Sequence, residues 1–248
     1  MKYFSVTDVG KKRSNNEDDY FSKVYTIQDT EVGLFMVADG MGGYEFGEYA
    51  SKKTLEVIKD NLSVQLSEID IHLAQSKEIF SILKKVIQSA NNEVVNVSSN
   101  KDIFMGTTIA LALVIENSLY VANVGDSRTY LLNDNKLLQV SKDNSYVQEL
   151  VDMGAIDITE ARTHNERNKI TRAVGVDYDL DIDFYKKKLQ PNDKILLCSD
   201  GLNTMLDDGE IEQIVKLNEP LEVIVKKLLA KVYDKGASDN TTITCILI

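Results

Sequence analysis

Val32-Gly33-Leu34-Phe35-Met36-Val37-Ala38 runs without a break into Asp39-Gly40-Met41-Gly42-Gly43. The apolar run reads as a buried strand. A strand delivers its terminal side chain to a fixed place, and a glycine beyond it lets the backbone turn sharply. The combination of apolar run, acid and glycine recurs. Tyr120 to Val124 precedes Gly125-Asp126-Ser127-Arg128, and Ile195 to Cys198 precedes Ser199-Asp200-Gly201. Two further acids stand in Arg13-Ser14-Asn15-Asn16-Glu17-Asp18 and Ser238-Asp239-Asn240-Thr241-Thr242. Asp18, Asp39, Asp126, Asp200 and Asp239 are therefore expected at strand ends, gathered into one oxygen-rich pocket for hard divalent cations.

A single Asp-Gly is a common turn signal, and Asp208-Gly209 reads as one. The repetition argues for more. Acids clustered without a cation repel one another, and each resists ionising beside the others. Folding them together makes sense when cations occupy the site.

Composition narrows the classes. With 248 residues the chain can bury a sizeable core, and with only two prolines and no Ser- or Gly-rich linker one domain is expected over 1–248. The 28 basic and 39 acidic residues give a net charge of -11, against a nucleic-acid or anionic-membrane partner. No apolar run approaches the ~20 residues that span a bilayer. The start, Met1 to Asp8, does not resemble a signal peptide. Cys198 and Cys245 fall in strand-like runs and read as reduced, buried residues of a cytoplasmic protein.

Periodicity outlines a mixed fold. Strands are expected over Tyr3 to Val9, Tyr20 to Ile27 and Val32 to Ala38, then two amphipathic helices carrying Ala50, Ile58 and Leu62, and Phe80, Leu83, Ile87 and Val94. A meander follows over Thr108 to Ile115, Ser118 to Val124, Arg128 to Leu132 and Lys136 to Val140. Residues 145–178 read as a polar excursion with one short helix ending at Gly154. Strands at Asp179 to Tyr185, Lys194 to Cys198 and Thr241 to Ile248, with helices at Glu210 to Leu217 and Leu221 to Tyr233, complete the pattern. Antiparallel strands with helix pairs grouped apart argue for an α+β sandwich.

Taken in order, Arg-x-x-Asn-Glu-Asp from Arg13, Asp-Gly-Met-Gly-Gly from Asp39, Gly106-Thr107-Thr108, Gly-Asp-Ser-Arg from Gly125, Ser-Asp-Gly from Ser199 and Asp-Asn-Thr-Thr from Asp239 resemble the PPM family. These are metal-dependent protein serine/threonine phosphatases of type 2C, here in the compact bacterial form. The resemblance covers essentially the whole chain. It implies a four-layer αββα sandwich of two antiparallel sheets flanked by helix pairs, with the metal site between the sheet ends and residues 145–178 as the flap beside it.

It also implies roles. Two core Mn2+ or Mg2+ ions sharing Asp39 would hold a hydroxide for in-line attack on phosphorus. The Gly40 carbonyl, Asp200 and Asp239 would complete one ion. Glu17 and Asp18 would hold the other, partly through water. Asp126, with Asp200, resembles a weaker third position. Arg13 offers a planar donor fork for the substrate phosphate, whereas Arg128 reads as structural, on the outside of a strand or paired with an acid. Substrates would be phosphoserine and phosphothreonine proteins, and a monomer is expected. The lack of a sensor or membrane segment favours opposition to a cognate serine/threonine kinase over action on anti-sigma antagonists.

The chain departs from many relatives in two places. Met41 stands where eukaryotic relatives carry a histidine able to protonate the leaving alkoxide, and Asn144 stands where a histidine often follows Asp143. A serine alkoxide still needs a proton, and metal-bound water is the expected donor. His72 reads as a surface residue, and His164 as a flap residue. A covalent aspartyl-phosphate mechanism would need Asp-x-Asp at the strand end, but Met41 follows Asp39 and Leu202 follows Asp200. A non-catalytic metal-binding module that only recognises phosphoproteins is the remaining alternative. It should have lost ligands or Arg13, and none is lost.

Overall fold

The computed structural model describes residues 1–43, 46–101 and 103–248. The chain opens with β1 (Lys2–Asp8), β2 (Asp18–Ile27) and β3 (Thr30–Gly42), then the long helices α1 (Phe46–Ser67) and α2 (Ser76–Lys101). β4 (Met105–Thr107), β5 (Ile109–Ile115), β6 (Ser118–Val124), β7 (Arg128–Asn133) and β8 (Lys136–Gln139) follow. Two short helices, α3 (Tyr146–Asp152) and α4 (Ile158–Thr163), lead to β9 (Asp183–Lys188) and β10 (Lys194–Cys198). The chain closes with α5 (Asp200–Asn203), α6 (Asp208–Val215), α7 (Leu221–Asp234) and β11 (Thr241–Leu247).

Two antiparallel sheets result. One runs β1-β11-β10-β7-β8, the other β2-β3-β5-β6-β9, with β4 paired to the end of β3. Side chains alternate across a strand, so each central strand feeds two cores. Along β3, Leu34, Met36 and Ala38 pack with Leu55, Ile58 and Leu62 of α1 and Leu83 and Ile87 of α2. Phe35 and Val37 point the other way, towards Ile195, Leu197 and Ile246 of the opposite sheet. On that sheet's outer face, Leu196, Cys198, Ile243 and Cys245 meet Ile211, Val225, Leu228 and Val232 of α6 and α7. Helices, sheet, sheet, helices: this is the expected four-layer sandwich. Each fully buried leucine or isoleucine contributes ~1.5–3 kcal/mol, so the three apolar seams dominate cohesion. Both cysteines are buried and free. No helix of the described residues is long and apolar enough to cross a membrane.

Four sequence expectations need correction. β9 begins at Asp183 instead of Asp179, because its ladder is set by β6, from Asn123↔Asp183 to Ser118↔Lys188. Leu180 and Ile182 alternate correctly but pack on the helix-side core before the pairing starts. Asp208-Gly209 is not a free turn: it forms the first turn of α6, capped by Asp207, whose side chain accepts from the Glu210 amide. The excursion holds a second helix, α4, opened by an Asp157/Glu160 capping box that periodicity does not report. A four-residue helix, α5, starts on Asp200 itself.

Candidate active site

β2 and β3 are paired so that Asp18 lies directly opposite Asp39. Asp18 opens its strand. Asp39 does not end its own: β3 leaves β5 after Val37 and runs on through Gly42, pairing Gly40 with Thr107 and Met41 with Gly106. The crossover is fastened at Asp39. Its amide donates to Thr108 Oγ1 at 3.0 Å, and its carbonyl accepts from the Thr108 amide and Thr107 Oγ1, each at 2.9 Å. At Gly40 a Cβ would stand 2.1 Å from the Gly47 carbonyl oxygen and 2.6 Å from that of Glu17, so only glycine admits this approach.

The loop before β2 is tied to the start of β11 by Asn240. Its Oδ1 accepts from the Glu17 amide at 2.9 Å, and its Nδ2 donates to the carbonyls of Val9 and Asn15. The Glu17 carbonyl accepts from Ser51 Oγ at 2.6 Å and from the Gly40 amide at 3.1 Å. Asp18 is buried, and its Oδ2 accepts from Ser199 Oγ at 2.7 Å. Ser199 in turn accepts from the Thr242 amide at 2.9 Å. Four segments distant in sequence, at 17–18, 39–40, 199–200 and 239–242, are thereby pinned together.

The buried acids act on one another's charge. The Asp39 carboxyl is pushed well above the usual carboxylate range by burial, then by Asp18, Asp200, Asp126 and Asp239. Asp18 is raised to about 7, chiefly by burial, against the Ser199 and Thr242 hydrogen bonds that lower it. Asp200 is raised to about 6 by burial and by Asp239. Asp126 is raised well above its ordinary value by burial, then by Asp200 and Asp143. Asp39 in turn lowers Asp200, and Asp200 raises Asp39, so the two carboxyls act directly on each other. Asp239 is held differently, its Oδ2 accepting from Arg13 Nη2 at 2.9 Å.

The donor set fits hard divalent cations: carboxylates, with a glycine carbonyl available. Two buried carboxylate oxygens, Glu17 Oε1 and Asp18 Oδ1, have no hydrogen-bond partner. Such atoms are costly unless something electropositive reaches them. The acids are grouped without being closed. Among the described residues no three His, Cys, Asp or Glu side chains already converge on one ion.

Asp18, Asp39, Asp126, Asp200 and Asp239 thus come to one mouth between the sheets, with Gly40 beside them and Arg13 at the rim. Glu17 is the outlier. Its carboxyl is raised by burial and turned towards the Gly47 amide at the start of α1. Arg128 pairs with an acid, as one reading of it anticipated: Nε and Nη2 donate to the Asp143 carboxylate at 2.9 and 2.7 Å, and Nη1 donates to Tyr130 Oη. Neither histidine joins the acids. His72 sits at the far end of the β2–β3 hairpin, where Nε2 lies 3.0 Å from the Gln28 carbonyl. His164 caps α4 and accepts the Glu166 amide on Nδ1 at 3.1 Å.

Sequence reading missed the supports: Ser199, Asn240, Thr242 and Thr108, and Asp143, which shares a cavity with Asp126, Asp200 and the flap residues Val147, Ile158 and Arg167. All but Asp143 stand inside motifs quoted above, Thr108 in Gly-Thr-Thr, Ser199 beside Asp200, and Asn240 and Thr242 after Asp239, but a motif does not say which atoms its polar residues bind.

A two-sheet sandwich with acids gathered at one sheet end is the architecture of a phosphatase class with many solved bacterial examples. The chain belongs to the protein phosphatase 2C family, whose model matches residues 4–149. It is 35% identical to the serine/threonine phosphatase stp of Listeria monocytogenes over 242 residues, 97% of this chain and 93% of that one. Stp1 from Staphylococcus aureus superposes with a TM-score of 0.87 at 32% identity, covering all of this chain and 95% of that one. The catalytic domain of the phosphatase PstP, in complex with two manganese ions, superposes with a TM-score of 0.80 at 29% identity, covering 98% and 96%. The protein is a serine/threonine protein phosphatase. The non-catalytic alternative is set aside.

Proposed function

We propose that the chain hydrolyses phosphoserine and phosphothreonine esters of proteins with two Mn2+ or Mg2+ ions at the Asp39 centre, and a weaker third at Asp126 and Asp200. The observation that carries this reading is the buried group Asp18, Asp39, Asp126 and Asp200, each carboxyl raised by burial and by its neighbours, with Asp18 Oδ1 unpartnered. Such a group is unfavourable alone and favourable around cations. Bound there, divalent ions supply an activated water and neutralise charge building on the phosphoryl group.

The chain's own residues do the rest. Asp39, opposite Asp18 in the β2–β3 ladder and acted on by Asp200 and Asp239, is the side chain that would serve both ions, with the Gly40 carbonyl, Asp200 and Asp239 completing one and Asp18 the other. Glu17 would act from the periphery. Arg13, half-exposed at the rim, exchanges Asp239 for phosphate oxygens, which its planar donors fit. The leaving alkoxide takes its proton from a donor other than imidazole, since His72 and His164 stand away and Met41 carries none. We assign the phosphatase to one domain over 1–248 acting as a cytoplasmic monomer. Its substrates are products of a serine/threonine kinase, the reaction class that makes these esters.

The test is phosphate release from phosphothreonine and phosphoserine peptides. Release should need Mn2+ or Mg2+ and stop in excess chelator. Undiminished turnover in chelator would overturn the metal reading.

A further inference from the structure

We propose that Asn144 is a positioning residue that sets the affinity of the Asp126 cation position and couples it to the flap. The proposal rests on the reading of Asp126 as a cation ligand. Asn144 is buried, and every one of its polar groups is used. Its Oδ1 accepts the Gly125 amide at 3.0 Å, and its own amide donates to the Gly125 carbonyl at 2.9 Å. Its Nδ2 donates to Asp183 Oδ2 at 2.8 Å, and its carbonyl accepts the Thr171 amide at 2.9 Å. The side-chain orientation is unambiguous, because an amide N–H can only donate and a carboxylate can only accept.

The residue so gripped is the one before Asp126. Gly125 has φ +95°, and a Cβ there would lie 2.6 Å from Thr108 Cγ2, so the turn has one conformation and Asn144 holds it. The other arm leads to the flap's return. Asp183 Oδ1 accepts from Arg172 Nη1 at 3.2 Å, one residue after Thr171. Flap and carboxylate therefore share one hydrogen-bonded clamp. Partners of this kind orient ligands without touching the ion.

The experiment is calorimetric titration of Mn2+ into wild type, Asn144→Ala, Asn144→His and Arg172→Ala without substrate, with melting temperatures in chelator recorded alongside. In Asn144→Ala the weaker class of site should lose ~10-fold in affinity while the tight pair is unchanged, the size expected for removing an outer partner. Asn144→His, which keeps an acceptor and a donor on one ring, should restore part of the loss, and Arg172→Ala should show a smaller loss in the same direction. An Asn144→Ala isotherm that superimposes on wild type, or equal weakening of all sites with a lowered melting temperature, overturns the proposal. Should Asn144→Ala not fold, superposition of both other variants on wild type overturns it. A wild-type isotherm without a weaker class overturns the reading of Asp126 itself, and the proposal with it.

Discussion

Asp18 and Asp39 face each other across the β2–β3 ladder, the closest placement a sheet allows two like charges. Asp18 ionises at about 7 in the fold against 3.8 ordinarily. Between those values the native state keeps a proton that the unfolded chain releases, so stability falls as pH rises through the window. In chelator the melting temperature should drop as pH climbs from 4 towards 7. Mn2+ at neutral pH should reverse the drop, and Asp18→Asn should make it smaller without abolishing it, because Asp39, Asp126 and Asp200 remain raised. A melting temperature that rises across the window in chelator would refute the strained pair.

Arg13 and Asp239 form an ion pair at the rim, at 2.9 Å. Arg13→Ala should weaken use of the phosphate group, seen as a raised KM and, where the clamp tightens in the transition state, a lowered kcat. Mn2+ affinity should stay nearly intact, because the change also frees Asp239. Calorimetry decides. A collapse of metal binding would make Arg13 an organiser of the site.

Removing a central carboxylate should be far more damaging. Asp39→Ala or Asp239→Ala should cost at least ~100-fold in p-nitrophenyl phosphate turnover at saturating Mn2+, as for lost preorganised charge stabilisation. Near-normal kcat in either variant would exclude that residue from the centre.

Arg128 and Asp143 are a largely covered pair, with side chains 15% and 9% exposed. Arg128→Ala leaves the Asp143 carboxylate with the Gln139 amide as its remaining donor and should destabilise by about 3 kcal/mol in chemical denaturation, the lower end of the range for a broken buried pair. A loss below about 1 kcal/mol, the size of an exposed pair, would show that water reaches Asp143.

His72→Ala with His164→Ala should keep p-nitrophenyl phosphate turnover within about threefold of wild type, below the usual general-acid contribution. On phosphopeptides, His164→Ala and Arg167→Ala should show larger effects than on the phenyl ester, because the flap borders the cavity beside Asp126 and Asp200. A hundredfold fall in phosphoserine turnover by a folded, metal-loaded double histidine variant would restore an imidazole as the acid.

The acid positions were legible because each is a local event. A buried strand such as Val32 to Ala38 or Ile195 to Cys198 declares itself by continuous apolar character, and the Asp and Gly beyond it stand in fixed order. The two core stripes on α1 and α2 were legible for the same reason, a period of 3.6 that the chain carries without reference to its partners. What alternation could not report was pairing. Leu180 and Ile182 alternate as well as Phe184 does, yet only Phe184 is in the ladder, because β6 sets where β9 may begin.

The sequence by itself determined the kinds of side chain at the mouth and the strands that bring them there. Tertiary structure alone decided who meets whom. The Asp18–Asp39 register, the Ser199 bridge from Asp18 to Thr242, the Arg13–Asp239 pair and the Asn144 clamp join residues distant along the chain. Hydrogen bonds and charge pairs act over a few ångströms, and such distances arise only once strands pair in register within a sheet, as at Asp18–Asp39, and the two sheets pack face to face, as at Ser199–Asp18. Hydrophobic pattern is written residue by residue. The geometry of charge is written only once the sheets have closed.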